Sequence, residues 1–291
     1  MNVRIIVDSS TDVGEKYLSR LQVVPLTLRF GEEEFFDGVT IHKEEFYRRL
    51  VESDQLPATS QATPDAFDRV FREVAANGDS AVVITLSSRL SGTYQSACIA
   101  ADGYENVYVV DSQSVAIGTG VLAQYAVDLV EKGLSAGEIA AKLIEKKKDV
   151  CVIALLDTLE YLKKGGRISK TVAFAGGVLN IKPVVTVQDG VVALIGKARG
   201  SRNGNNLLVE KIRESGGVDF DLPVLLGYTG LNSDLLDKYV EDSRAIWAEH
   251  LTSIPKTLLC SIIGTHVGPG AVAAAFFKRG DRKSTRLNSS H

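Results

Sequence analysis

Short apolar segments alternate with helical patterns along the first half of the chain, and this order constrains the fold more than any other feature. Residues 3–7, 81–86, 107–111 and 151–155 have the composition of buried strands. Helices are predicted between them, because apolar residues there recur at intervals of three and four. Strands that are joined by helices in this way form parallel sheets. The sequence therefore predicts a largely parallel α/β arrangement for the N-terminal half.

Capping residues indicate where the predicted helices begin. Thr63 and Pro64 are typical of an N-cap and a first helical position, and Ser135 with Glu138 forms a capping-box pattern. The four predicted helices of this half start near residues 64, 91, 115 and 135.

The pattern changes after residue 157. A short helix is predicted to end at Gly165, and Asp189 with Gly190 is typical of a hairpin turn between two strands. This order indicates an α+β region with antiparallel strands. Its other predicted elements are a helix over 206–214, a strand over 223–228, a long helix over 233–250, and two final strands within 257–277 separated by a glycine-rich turn.

These patterns divide the chain into two domains. We expect an N-terminal α/β domain over residues 1–156 and a C-terminal α+β domain over residues 157–280. Residues 23–56 interrupt the alternation with a strand, an acidic turn and a short helix, and we expect this segment to pack on the other domain. The polar residues 281–291 are expected to form a disordered or non-native tail.

Composition and charge restrict the partners and the compartment. The net charge is −3 and no long run of Lys or Arg occurs, so nucleic acid is not an expected partner. The cysteines at 98, 151 and 260 lie in apolar surroundings, which favours free thiols in a reducing compartment. The N-terminus lacks a signal-peptide pattern, and glycines and a proline interrupt the uncharged segment 257–277. We therefore expect a cytoplasmic protein without integral membrane association.

Familiar catalytic patterns are incomplete or missing. A phosphatase of the haloacid-dehalogenase type needs a second carboxylate two residues after Asp8, where this chain has Ser10. No P-loop occurs. His42, His250 and His266 are far apart and form no Cys/His ligand spacing, so no metal site is predicted. These patterns predict no catalytic residue.

Two hydroxyl-rich turns remain as candidate anion sites. ATSQAT, over residues 58–63, precedes a predicted helix, and SSRLSGTYQSA, over residues 87–97, joins a predicted strand to a helix. Such turns can present hydroxyls and free backbone N–H groups to an anion, although the same residues often only cap helices. His266 lies between glycines in GTHVGPG, where both a structural role and a ligand contact stay open.

Six blocks occur in a specific order: VDSSTD, PATSQAT, SSRLSGTYQSA with VVDSQSVAIGTG, LEYLKKGGRIS, LNIKPVVTVQDG and IGTHVGPGAVAAAFF. Their order resembles the DegV family of bacterial fatty-acid-binding proteins, and the resemblance covers the chain from residue 3 to about residue 277. The resemblance implies a two-domain α/β protein that encloses one long-chain fatty acid and has no catalytic activity of its own.

The resemblance also implies which residues hold the carboxylate. Thr59 and Ser91 resemble the hydrogen-bond donors, with Ser60 and Gly92 beside them and His266 close by. No metal or cofactor is implied, and the acyl chain is expected to lie in an internal apolar tunnel. The expected tunnel-lining segments are 115–121, 172–179 and 271–277.

One protein partner follows from the same resemblance, a separate ATP-dependent fatty-acid kinase that phosphorylates the bound carboxylate. Arg199 and Arg202 match a basic turn that faces this kinase. Residues 203–205 read Asn-Gly-Asn where the family usually has basic residues, which weakens the expectation of a kinase contact but not of lipid binding. The pattern assigns no role to Arg167, and transient contact with a membrane surface stays open.

Two other functions stay open at this point. An autonomous acyl-ester or acyl-phosphate hydrolase would use Ser91 as nucleophile and His266 as base, and would also need a group that orients His266 and a second oxyanion donor. The second open function is a binding module for another amphipathic anion, such as a phosphorylated isoprenoid. The expected function is the non-catalytic fatty-acid carrier.

Overall fold

The computed structural model describes residues 2–53, 55–169, 180–249 and 255–280, which form a mixed α/β structure. In chain order its strands are β1 (Val3–Asp8), β2 (Leu21–Val24), β3 (Thr27–Phe30), β4 (Glu33–Phe36), β5 (Ala58–Ser60), β6 (Ser80–Thr85), β7 (Val107–Asp111), β8 (Val150–Leu155), β9 (Ile181–Gln188), β10 (Val191–Arg199), β11 (Leu225–Tyr228), β12 (Lys256–Leu258) and β13 (Val272–Phe277). The α-helices are α1 (Lys43–Glu52), α2 (Pro64–Ala76), α3 (Thr93–Ala101), α4 (Ile117–Glu131), α5 (Ala136–Lys146), α6 (Glu160–Lys164), α7 (Ser201–Glu214), α8 (Asp234–Asp242), α9 (Arg244–Trp247) and α10 (Ser261–Val267).

The first sheet is parallel, with the strand order β2-β1-β6-β7 among the described residues. All residues of β6 are buried, as expected for a strand whose two faces are both covered by helices. The predicted caps are confirmed: the Thr63 hydroxyl accepts a hydrogen bond from the Ala66 N–H, and Ser135 and Glu138 form a capping box. This part of the fold agrees with the sequence prediction.

The second sheet has the order β10-β9-β8-β13-β11-β12 within the described chain, and its pairs are antiparallel except for β11 with β12. β8 lies inside this sheet, so the expectation that residues 151–155 belong to the parallel sheet is wrong. An apolar run shows that a strand is buried but does not identify its partners, and the β13 partner of β8 lies more than a hundred residues later. The division at residue 156 stays a prediction.

Helix α4 forms the layer between the two sheets. It contacts β1 and β6 of the first sheet and β8, β11 and β13 of the second. Eleven of its fifteen residues are buried, which is the pattern of a helix covered on all sides. The two sheets therefore share one packed core element.

The interrupting segment contains β3, β4 and α1, and its two strands form a small antiparallel sheet with β5, ordered β4-β3-β5 in the described residues. The predicted strand from residue 23 is divided at Pro25, which has no N–H for a sheet hydrogen bond. From α1, Lys43 Nζ donates to the Leu258 carbonyl over 2.6 Å and the Tyr47 hydroxyl donates to the Leu259 carbonyl over 3.0 Å. These bonds hold the segment against C-terminal residues.

The last part of the fold differs from the prediction of two strands around a turn. A helix, α10, lies between β12 and β13, and His266 is in its last turn. Gly264 lies inside α10, where a Cβ would approach Phe46 Cε1 to 2.5 Å and the Tyr47 hydroxyl to 2.6 Å. Glycine is therefore needed here for close packing against α1. In the sequence alone, a glycine kept for packing looks the same as a glycine in a turn, and a turn was therefore predicted. Gly268 ends the helix with a φ of +74°.

Two other predicted elements differ in their limits. The helix predicted over 233–250 is divided at Ser243 into α8 and α9, and the helix predicted from 206 begins earlier, at Ser201. The proposed tunnel segment 172–179, His250 and the tail 281–291 lie outside the described residues. In the described part of the chain, no helix combines the length and apolar composition that crossing a membrane requires.

Candidate functional site

A cavity of about 580 Å³, including its mouth, lies where the small sheet, the loop after β6, α6 and α10 meet. Leucine, isoleucine and valine side chains form most of its wall. Its polar lining residues are Thr59, Ser60, Gln61, Ser91, Arg167 and His266.

Thr59 and His266 come from distant parts of the chain and are hydrogen-bonded to each other. Thr59 is on β5, in register with buried Leu28 of β3, and its Oγ1 lies 2.9 Å from His266 Nε2. Ser60 is the next residue of the strand and is exposed, and successive side chains of a strand point to opposite faces. Thr59 is therefore the residue of this pair that the imidazole contacts.

The surroundings of His266 keep its ring neutral. Burial and, secondly, the positive charge of Arg167 lower the pKa of His266 from 6.5 to about 4. Its Nδ1 is buried and has no hydrogen-bond partner among the described residues. A Cβ on Gly165 would overlap the imidazole, so glycine is required where α6 approaches it. Among the described residues, the imidazole therefore forms its hydrogen bond through Nε2, with Thr59.

Ser91 lies in the loop between β6 and α3 and also lines this cavity. Its hydroxyl is 2.9 Å from Thr93 Oγ1 and 3.3 Å from the Thr93 nitrogen. Gly92, the N-cap of α3, does not line the cavity in the described residues; a Cβ there would overlap the Gln61 amide, whose Nε2 donates to Ser96 Oγ over 2.9 Å. Gly92 therefore allows Gln61 to pack beside the site.

Arg167 brings a positive charge to the cavity wall. Its Nη1 donates to the Gly165 carbonyl over 2.6 Å, and its Nε donates to the Leu90 carbonyl over 3.3 Å. Neither carbonyl neutralises the guanidinium charge. The site thus combines a cation, a neutral imidazole, hydroxyls and an amide, which suits an anionic oxygen ligand.

A second cavity of about 520 Å³ adjoins the first and shares five of its lining residues. Its wall is apolar except for Thr186, whose hydroxyl donates to the Val152 carbonyl over 2.7 Å. Residues from the predicted tunnel segments contribute to it. The shared residues are Val115, Leu162, Val192, Ile263 and Val267.

Known proteins resemble this chain along nearly its whole length. The DegV family model matches residues 2–279. A DegV domain-containing protein of Caldanaerobacter subterraneus subsp. tengcongensis is 35% identical over 282 residues, which cover 95% of this chain and 98% of that protein. The chain belongs to the DegV family.

Solved DegV structures have the same fold. A fatty-acid-binding DegV family protein from Thermus thermophilus matches with a TM-score of 0.84 and 29% identity, covering 95% of this chain and all of that chain. A stearic-acid-binding protein from Eubacterium ventriosum matches with a TM-score of 0.84 and 27% identity, covering 96% of this chain and 99% of that chain. These DegV neighbours bind fatty acids.

Arg199 and Arg202 lie away from the cavity of this DegV protein. Arg199 ends β10 and Arg202 is in the first turn of α7, and both are exposed. Two of the residues 203–205 are buried: a Cβ on Gly204 would press on Leu155, and Asn205 Nδ2 donates to Asp242 over 2.9 Å. These two residues therefore serve packing.

Sequence reasoning did not assign a role to Gln61 or Arg167. Gln61 is inside the PATSQAT block and Arg167 inside the LEYLKKGGRIS block, but the sequence gives no position of either side chain relative to the site. Asp8 is fully buried and accepts hydrogen bonds from Ser10 and from the Leu86 N–H over 2.7 Å. These hydrogen bonds connect the loop that follows β1 with the loop that follows β6. Among the described residues, no cluster of His, Cys, Asp and Glu could hold a metal ion.

Proposed function

We propose that this protein binds one long-chain fatty acid and presents its carboxylate to a separate ATP-dependent fatty-acid kinase. The carboxylate occupies the polar cavity and the acyl chain occupies the apolar one. The observation that carries the proposal is that polar groups gather at one end of two adjoining apolar cavities. An ionised carboxylate with a long hydrocarbon chain has the matching distribution of polarity.

The polar cavity supplies what a carboxylate loses when it leaves water. A carboxylate only accepts hydrogen bonds, and Thr59, Ser91 and Gln61 carry donors at the cavity wall. The Arg167 guanidinium supplies the opposite charge, and neutral His266 contributes no second charge. The lost hydration of the carboxylate is therefore compensated by hydrogen bonds and an opposite charge, without a covalent bond. The carboxylate stays free to be phosphorylated.

The apolar cavity supplies affinity. Each methylene removed from water contributes about 0.8 kcal/mol before the cost of ordering the chain. A long acyl chain can therefore be retained by burial alone. Separate cavities for the carboxylate and the acyl chain suit a carrier, since the head group can be modified while the chain stays bound.

The hydrogen bonds favour a carrier over a hydrolase. A Ser–His hydrolase needs its nucleophile within hydrogen-bond reach of its base. Within the described chain, His266 Nε2 is paired with Thr59, and the Ser91 hydroxyl is paired with Thr93. We propose that the protein has no catalytic activity of its own, and that its kinase partner works with it in the cytoplasm.

The first test is native mass spectrometry of the purified protein, followed by extraction and identification of the released ligand. One fatty acid per chain is the expected result. An empty protein that also rejects added fatty acids would contradict the proposal, and an extracted phosphorylated isoprenoid would favour the other amphipathic anion. Turnover of an acyl ester that is lost in Ser91→Ala would instead establish a hydrolase.

A second measurement tests the charge at the head group. Arg167→Met should weaken binding of stearate, whereas binding of stearyl alcohol, which has the same chain without the charge, should change little. Equal losses for both ligands would mean that Arg167 only supports the wall of the cavity.

The kinase contact is tested separately. Arg199→Ala with Arg202→Ala should reduce acyl-phosphate formation by a fatty-acid kinase catalytic subunit while fatty-acid affinity stays unchanged. Arg213→Ala is the matched control, because Arg213 is exposed near the other end of the same helix. Unchanged acyl-phosphate formation in the double variant would remove these arginines from the interface.

A further inference from the structure

Ala116 has a backbone conformation that alanine rarely adopts. Its φ is +55° and its ψ is −130°, and the residue is 5% exposed. Three other non-glycine residues with positive φ occur in the described chain, namely Gln113, Asn180 and Asp189. These three have polar side chains, and Asn and Asp tolerate such angles by local hydrogen bonding. Ala116 has no such compensation, so the surrounding structure must impose its conformation.

The packing of α4 explains what holds Ala116 in place. Ala116 is the N-cap of this helix, and its carbonyl accepts a hydrogen bond from the Gly120 N–H over 3.0 Å. A Cβ on Gly118 would overlap Ser114 and Val152, and a Cβ on Gly120 would overlap the Asp12 carbonyl. The first turn of α4 is thus fixed between β8 and the loop after β1. The chain has to turn sharply at Ala116 to enter the helix.

This turn has a counterpart in enzymes of other folds. In α/β-hydrolases, a strained turn between a strand and a helix exposes the nucleophilic serine. Here the corresponding turn between β7 and α4 carries a methyl group. A side chain at position 116 is therefore held at a fixed place that the backbone cannot easily change.

Ala116 lines the second, apolar cavity, which adjoins the polar one and is called the inner cavity below. Other parts of that cavity wall are also formed by small side chains, including Ala154, Ala271 and Ala273. Because neither the first turn of α4 nor these small residues can move aside, each carbon added at position 116 would occupy space inside the cavity.

We infer that Ala116 is a specificity-determining residue, which sets the length of the acyl chain that the inner cavity accepts. The inference rests on the proposed function. Ala116 leaves room for a long chain where a larger side chain would shorten the cavity, and glycine would extend it by the volume of one methyl group.

The test measures competitive binding of laurate, myristate, palmitate, stearate and arachidate to the wild type, Ala116→Leu and Ala116→Gly. Leucine adds three carbons, and each methylene that the chain can no longer bury lowers its affinity about fourfold. Ala116→Leu should therefore lower the affinity for stearate relative to myristate by at least about tenfold. Ala116→Gly should shift the preference towards the longer acids.

Gln113→Gly is the matched control. Gln113 also has a positive φ, of 51°, but it is exposed and does not line either cavity in the described residues. Both glycine variants relieve backbone strain and should raise the melting temperature, whereas the chain-length preference should change only in Ala116→Gly. If Ala116→Leu does not fold, the comparison of Ala116→Gly with Gln113→Gly still tests the inference.

The outcomes separate the inference from the proposed function. A wild type that binds none of the five acids would contradict the proposed function itself. A wild type that binds them, together with Ala116 variants that keep the same preference, would overturn the role of Ala116 and leave the carrier function standing.

Discussion

The Thr59 and His266 pair can serve a carboxylate in one of its two proton arrangements. If Nε2 carries the proton, the imidazole donates to Thr59 Oγ1, and the hydroxyl proton is free to donate to a ligand oxygen. In the other tautomer the Thr59 hydroxyl donates its proton to Nε2. It then has no proton to donate, and its oxygen lone pairs would face the oxygens of the carboxylate. We therefore expect the bound state to hold the proton on Nε2.

Thr59→Val tests the hydroxyl at nearly constant volume. Loss of one donor to a charged acceptor should weaken fatty-acid binding by about 1–3 kcal/mol, measured by isothermal titration calorimetry. Thr27→Val is the control, because Thr27 is in the same small sheet on the face opposite to Thr59. Equal affinities in the two variants would mean that Thr59 does not contact the carboxylate.

His266 also gives a pH dependence whose sign can be derived. Its pKa is about 4 in the folded protein and 6.5 ordinarily, so between these values the unfolded chain binds a proton that the folded chain does not. The free energy of unfolding should therefore fall as pH decreases from 6.5 to 4. His266→Gln, which does not titrate, should show a shallower fall in chemical denaturation. An imidazole that titrates near 6.5 in an NMR experiment would show that the ring is not desolvated.

The polar residues of the site were predictable, but their arrangement was not. Hydroxyls beside helix starts and a histidine among glycines are local signals of a candidate site, and the family resemblance implies the roles of Thr59, Ser91 and His266. The Thr59–His266 bond spans 207 residues, and the approach of Arg167 to this pair depends on how α6 packs against α10. No local pattern contains such distances.

At the level of elements, signals within a few residues gave correct predictions and signals between distant segments did not. Thr63 and Ser135 mark their helices because the N-cap bond lies within one turn. The hairpin at Asp189 and Gly190 was recognised for the same reason. By contrast, β8 pairs with strands that come later, and the glycine in α10 is required by contact with α1. Both were therefore misassigned.

The tip of this hairpin closes against the loop after β6, and this contact predicts a kinetic effect. The Ser87 hydroxyl donates to the Gly190 carbonyl over 2.7 Å, and Arg89 Nη1 donates to the Asp189 carbonyl over 3.1 Å. The loop carries Ser91, and the hairpin carries apolar residues of both cavity walls. Separation of the two would widen the path into the cavities.

Ser87→Ala should therefore speed the dissociation of a bound fatty acid. A net hydrogen bond is worth about 0.5–1.5 kcal/mol, so the rate should rise about two- to tenfold in a stopped-flow displacement assay. Ser88→Ala is the matched control, because Ser88 bonds to Asp111 and not to the hairpin. Equal dissociation rates in the wild type and Ser87→Ala would mean that the ligand leaves by another path.

At the scale of the whole molecule, α4 packs between the two sheets, and we expect them to unfold as one cooperative unit. It packs on strands of both sheets, and its N-terminus forms part of the wall of the inner cavity. The order of the predicted elements indicated two domains, but it did not indicate that one helix would pack on both sheets. The largely apolar sequence of residues 117–131 is typical of a buried helix, but it does not identify the sheets that cover the helix.

Gly120→Ala tests this shared layer. A Cβ at Gly120 would overlap the Asp12 carbonyl, a main-chain atom that cannot rotate away, so the substitution should lower the free energy of unfolding by about 2 kcal/mol or more. Gly137→Ala in α5 is the control, because its Cβ would meet Tyr108 at an ordinary 3.4 Å and alanine favours helix. Since α4 contacts both sheets, far-ultraviolet circular dichroism and tryptophan fluorescence from Trp247 should report the same lowered midpoint in denaturant. Separate midpoints for the two signals would show that the sheets unfold independently and that α4 does not couple them.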